Sequence, residues 1–157
     1  KLSYGAHALM ENRNGLLVDI MVTRANRSSE WDACEDMLTR QKRKGIKPKT
    51  LGGDKGYDTR GFVSMLKKRE ITPHMSQNSK RKGGSAIDSR TTRHSGYTIS
   101  QRIRKRVEEI FGWMKTIGGF RKTRFRGRCR TQLQAWFVGT AYNLLRMAKL
   151  IPQEAAV

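Results

Sequence analysis

Apolar positions come first in short runs. Residues Leu2 to Leu9 and Gly15 to Thr23 (GLLVDIMVT) are separated by the polar ENRNG. Its asparagines and closing glycine suit a tight turn, so this part predicts a β-hairpin. The period then changes. In EWDACEDMLTRQKRK, Trp31, Cys34, Met37 and Leu38 recur at helical spacing behind Ser28, Ser29 and early acids, which predicts a surface helix ending at Gly45. Thr50 to Gly53 predicts a short strand. Thr59 then caps a second helix, RGFVSMLKKRE, with Phe62, Met65 and Leu66 facing inward, and ITPHM predicts another strand. From Gln77 to Gly96 serine, glycine, lysine and arginine dominate, which predicts a mobile basic loop over about 77–99. Two helical stretches, at about 100–116 and 131–151, close the chain. In the second, Trp136, Phe137, Thr140, Ala141, Leu144 and Leu145 recur at a spacing that predicts core packing. The order ββαβαβ, then loop, then helices, predicts an α/β fold, a mixed sheet flanked by helices.

Charge alters this picture more than length does. The 157 residues fit one compact domain. Lys and Arg total 33 against 13 acids, a formal net charge of +20. A surface this basic is suited to a polyanion, because neutralising phosphates releases counterions and favours binding without sequence readout. No apolar stretch approaches the length of a membrane span, so nucleic acid is favoured over membrane. Cys34 and Cys129 form no CxxC pair, and His7, His74 and His94 lack ligand spacing, which argues against a disulfide frame or a zinc site. The chain opens at Lys1 without a methionine or a leader and reads as an excerpt of a longer protein.

Two acids carry candidate chemistry. In LGGDKGYDTRGF, Asp54 stands where the predicted strand leaves the sheet, a common address for reactive side chains in α/β folds, and Gly56 allows a tight turn. Aspartate and glycine also suit any strand-to-helix turn, so the stretch alone does not decide. In SQRIRKRVEEIFGWMKTIGG, helical counting puts Arg104, Glu108 and Lys115 on one face and turns Glu109 elsewhere. A solvated charged face with i,i+4 pairs is the plain alternative. Trp113, Trp136 and Phe137 could stack on bases, but their spacing favours packing.

Taken in order, AHALMENRNGLLVDIMVT, GGDKGYD, RIRKRVEEIFGWMKTIGGFRKTRFRGR and AYNLLRMAKL resemble the catalytic region of bacterial insertion-sequence transposases with DDE chemistry, over nearly the whole chain. The resemblance matches the second catalytic aspartate to Asp54, ahead of Gly56 and Tyr57. It matches the third acid to Glu108, within an Arg-x3-Glu-x6-Lys pattern formed with Arg104 and Lys115. The family tends to place a tyrosine three residues before that arginine. This chain has Gln101 there, with Tyr97 as a displaced candidate.

The resemblance implies an RNase H-like fold in which carboxylates hold two divalent metals, Mg²⁺ or Mn²⁺, for DNA strand cleavage and strand transfer. Residues 1–157 would be the C-terminal part of that domain. The first strand and its aspartate would lie ahead of Lys1, leaving two of three ligands here and an inactive fragment. Asp19 is instead expected to be a strand residue on a solvated face. Arg104 and Lys115 would hold phosphates, and Lys80, Arg81, Lys82, Arg121, Lys122, Arg124 and Arg126 would grip double-stranded DNA, with a homodimer on the DNA and a cytoplasmic, nucleoid-associated location. The rivals are a basic nucleic-acid-binding module without catalysis and an RNase H-like nuclease without strand transfer.

Overall fold

A computed structural model describes residues 3–25 and 29–151. These form two compact units, Gln41–Lys105 and the segments on either side of it.

The flanking unit opens with the predicted hairpin. Strands β1 (Tyr4–Met10) and β2 (Leu17–Arg24) pair antiparallel, from Tyr4 opposite Arg24 to Met10 opposite Leu17. Glu11 locks the turn, because its carboxylate accepts from the Arg13 and Asn14 amides and Gly15 takes the positive φ that closes it. Helix α1 (Ser29–Arg43) follows and buries Ala33, Cys34, Met37 and Leu38, while Trp31 stays exposed. The expected cap at Ser28 lies outside the described residues, as does Leu2.

Helices α5 (Val107–Thr116) and α6 (Arg128–Leu150) complete this unit. Leu17, Ile20 and Val22 of β2 meet Ile110 and Met114 of α5 and Ala135 and Tyr142 of α6 in one core. Helix α6 also closes the outer edge of β2. Gln132 accepts from the Val22 amide at 2.7 Å and donates to the Ile20 carbonyl at 3.0 Å, and Asn143 does the same for both backbone groups of Leu17 at 2.8 Å. The spacing explains the fit: eleven helical residues and five strand residues each span about 16 Å. Two side-chain amides thus replace a neighbouring strand.

This docking sets the rotation of α6 and corrects the core prediction. The buried stripe is Thr131, Ala135, Gly139 and Tyr142, whereas Trp136, Phe137, Leu144 and Leu145 are exposed, with Thr140 and Ala141 between them. The reason is contact distance. A Cβ on Gly139 would stand 2.5 Å from Leu17 Cδ2, so the helix lies too close to β2 at this point for any larger side chain, and that approach fixes which side faces the strand. Asp19 is also not on a solvated face. It is buried on β2 and ion-paired with Arg40 Nε at 3.1 Å.

In the second unit, β3 (Thr50–Gly53) and β4 (Thr72–Met75) pair in parallel across α2 (Arg60–Lys68). Thr59 caps α2 by accepting from the Phe62 amide, and Phe62, Val63 and Leu66 supply its buried face, with Met65 only partly covered. The Thr72 and Ser76 amides donate towards β3, so Pro73 faces the outer edge of β4, where no donor is needed. Helix is also present where a mobile loop is expected. Asp88 caps α3 (Ser89–Arg93), and α4 (Ser95–Ile103) follows to pack on β3 and β4. The helix expected over 100–116 is broken, because a 3-10 turn at Arg104–Arg106 separates α4 from α5. The chain is mixed α/β, and the strands among its described residues form two two-stranded sheets, one antiparallel and one parallel.

Candidate active site

Asp54 follows the last residue of β3 in extended conformation and caps a 3-10 turn over Lys55–Tyr57. Its Oδ1 accepts from the Gly56 amide at 2.8 Å. A Cβ on Gly56 would stand 3.0 Å from that oxygen, so glycine lets the turn close without displacing the carboxylate. Tyr57 braces the turn from behind, its ring 5.0 Å from that of Phe62. The Asp54 side chain is exposed, and among the described residues no hydrogen bond engages its Oδ2.

Four residues on, Asp58 does something different. Its carboxylate is fully buried and accepts from the Asn78 amide at 2.6 Å, the Ala86 amide at 2.8 Å and the Ser85 side chain, while its carbonyl takes Arg81 Nη1 at 2.6 Å. Burial pushes this carboxyl up, but the three donors and the Arg81 charge outweigh it and hold the group below its ordinary range. Asp58 therefore fastens both ends of the segment presenting Lys80, Arg81 and Lys82, all exposed. With Arg60, Gly83 and Gly84, that segment lines an open pocket of about 370 Å³.

Arg104 belongs to the same unit as Asp54. Its Cβ lies 3.5 Å from where a Gly52 Cβ would be, so the arginine leaves α4 beside β3, whose last residue, Gly53, precedes Asp54. Gln101 fixes its direction: Oε1 accepts from Arg104 Nε at 3.1 Å, and Nε2 donates to the His74 carbonyl of β4 at 2.7 Å. Tyr97 is occupied elsewhere, donating to the Met75 carbonyl at 2.9 Å, with its phenol pushed up by burial. The residue that touches the arginine is thus Gln101, at the position where the resembling pattern has tyrosine. Beneath it, His74 Nδ1 pairs with Ser100 Oγ at 2.7 Å, and burial, then the nearby His94, pull its pKa down.

Glu108 and Lys115 stand in the other unit, on α5, seven residues and two turns apart on one exposed face. The helical count from Arg104 to Glu108 crosses the 3-10 turn at Arg104–Arg106, so one shared face for all three does not follow from it. Glu109 is exposed too; the Tyr142 phenol, which donates to the Gly15 carbonyl, is pushed up by burial, against the Arg146 charge and with a smaller push from Glu109. Between α5 and α6, Arg121, Lys122, Arg124 and Arg126 are all exposed. Thr123 ties this stretch down through Phe125, Thr131 and Gln134.

A family model for the transposase DDE domain matches residues 1–144. The chain belongs to that family. No curated protein and no solved structure matched it in the same comparisons. As a transposase domain the chain is an enzyme domain that acts on DNA, in a family that uses divalent metal ions. None of its described helices is long and apolar enough to cross a membrane.

The carboxylate oxygens of Asp54 and Glu108 suit a hard divalent cation. Among the described residues, no three of His, Cys, Asp and Glu form a metal-binding group. Two carboxylates fit a transposase metal centre in kind and fall short of it in number. Sequence reasoning missed Asp58, which reads as one more turn residue in DKGYDT. Its partners lie 20 and 28 residues away and leave no local signal.

Proposed function

We propose that this chain is the C-terminal part of the catalytic domain of a bacterial insertion-sequence transposase, contributing Asp54 and Glu108 to a metal-dependent centre that cleaves and joins DNA strands. The carrying observation is the placement of Arg104 beside β3, the strand that leads into Asp54, with Gln101 holding its guanidinium. A strand-end carboxylate and a fixed phosphate-binding cation suit phosphoryl transfer, where positioning and charge stabilisation do most of the work. Lys115 would supply a second phosphate contact beside Glu108. Bound Mg²⁺ or Mn²⁺ would supply an activated oxygen nucleophile and charge neutralisation. The exposed cations at 80–82 and 121–126 would grip duplex DNA within the bacterial nucleoid.

The free edge of β1 supports the RNase H-like fold that the resemblance implies, in which one more strand precedes β1. The outer edge of β2 is closed by Gln132 and Asn143, and that of β4 carries Pro73. Among the described residues β1 pairs only with β2 and β3 only with β4, so each sheet keeps one edge able to take a strand. By resemblance, that strand would precede β1 and carry the first aspartate. Asp19 is a poor substitute, being committed to Arg40.

The test is nicking of a supercoiled plasmid carrying the element's ends. The full-length protein should cleave with Mg²⁺ or Mn²⁺ and lose activity on Asp54→Ala or Glu108→Ala. Glu109→Ala should retain most of it, and the 157-residue chain alone should be inactive. Unchanged cleavage by full-length Asp54→Ala would overturn the assignment.

A further inference from the structure

The outward face of α6 is ordered, and it is apolar. Leu133, Phe137, Thr140, Leu144 and Met147, continued by Ile151 at the helix end, are all exposed. They follow one another at intervals of four and three residues. That alternation is the 3.5-residue repeat of a helix–helix seam, and it differs from the 131–135–139–142 stripe buried against β2.

Charge distribution indicates what covers it. The flanking positions of this repeat are Gln134, Trp136, Ala141, Asn143, Ala148 and Leu150. None is charged, on a chain whose net charge is +20. Arg130 continues the repeat at its N-terminal end, while Arg128, Arg146 and Lys149 fall elsewhere, so from Leu133 onwards the strip offers a polyanion nothing, and two antiparallel copies can meet there without opposing cations. Size agrees as well. Trp136 and Phe137, 48% and 69% exposed, offer about 250 Å² between them, and the aliphatic residues bring the face to roughly the 800 Å² that each partner gives a standard interface.

We infer that this face is a self-association surface on which α6 pairs with α6 of a second copy, antiparallel about a two-fold axis between Thr140 and Leu144. Antiparallel pairing is favoured because Arg130 at each helix start then lies towards the partner's carbonyl-rich helix end rather than against its own counterpart. In this register Leu133 meets the partner's Ile151, Phe137 meets the partner's Met147 and Thr140 meets the partner's Leu144. The pairing is isologous and closes at two copies. It is independent of the assignment of Asp54 and Glu108.

Sedimentation velocity across a concentration series tests it without DNA. The expected species has twice the 18.0 kDa mass of the chain. Its dissociation constant should fall as salt rises, because salt screens repulsion between basic copies; DNA binding should show the opposite trend. Leu144→Glu should give a folded monomer by circular dichroism with DNA affinity within about twofold, and Lys149→Glu should remain dimeric. In a Cys129→Ser background, Phe137→Cys with Met147→Cys should crosslink on mild oxidation, and Phe137→Cys alone should not. A monomer at every concentration, or a dimer unaffected by Leu144→Glu, would overturn the surface. Crosslinking by Phe137→Cys alone would overturn the antiparallel pairing.

Discussion

Replacing Asp58 with alanine removes one carboxylate and frees several donors together. The Asn78 and Ala86 amides, at 2.6 and 2.8 Å, lose a charged acceptor in a fully buried position. Hydrogen bonds to charged groups contribute about 1.5–3 kcal/mol each, which puts the two at about 3–6 kcal/mol. The segment is at the surface, so the released amides can turn to water, and the net loss falls to about 2–3 kcal/mol. That corresponds to a local opening constant raised about 30- to 150-fold. Amide hydrogen exchange resolved by residue is the assay, because the two compact units need not unfold as one. Asn78 and Ala86 should exchange faster by that factor in Asp58→Ala, with β1 and β2 unaffected.

Acid gives a second reading of the same group. Its folded pKa lies below the ordinary value of 3.8, so its contribution is complete above that value. It is lost as the pH falls through the lower folded value. Equal exchange at Asn78 and Ala86 in the variant and the parent would refute the view that Asp58 holds this segment.

Gly139→Ala should destabilise the unit containing α6 by about 1–3 kcal/mol in urea denaturation, since its Cβ would meet Leu17 Cδ2 at 2.5 Å in a packed contact. DNA affinity should fall steeply with salt, with a log–log slope of up to about −6 if all seven cations at 80–82 and 121–126 contact phosphate, and a flat response in a salt titration would remove the electrostatic account. His74 and His7 both have lowered pKa values, chiefly through burial, so the unfolded chain binds more protons below their ordinary value of 6.5. Stability should therefore be full above that value and decline as the pH falls towards the folded values, seen as a lower denaturation midpoint at pH 5.5 than at pH 7.5.

What was legible in the sequence was local. The hairpin at ENRNG, the Thr59 cap and the strand Thr50–Gly53 ahead of Asp54 each follow from a few adjacent residues, and all are present. What escaped depends on distant partners. Periodicity showed that α6 is apolar on more than one side, but not which side faces β2. That choice rests on Gly139 meeting Leu17 and on Gln132 and Asn143 reaching a strand more than a hundred residues earlier. The basic composition of 77–96 suggested mobility because the buried acid that ties it down lies outside the segment. The turn at Arg104–Arg106 interrupts a helical pattern that contains no proline and no glycine before Gly112.

Lys80, Arg81 and Lys82 form a natural cleavage site for a trypsin-like protease, exposed at the tip of the segment held by Asp58. Asn78 precedes that site and Ala86 follows it, and their amides share one carboxylate. A cut there would break a covalent chain whose two new ends remain clasped to a third point. Such a protein would run as two bands after denaturation and as one particle before it.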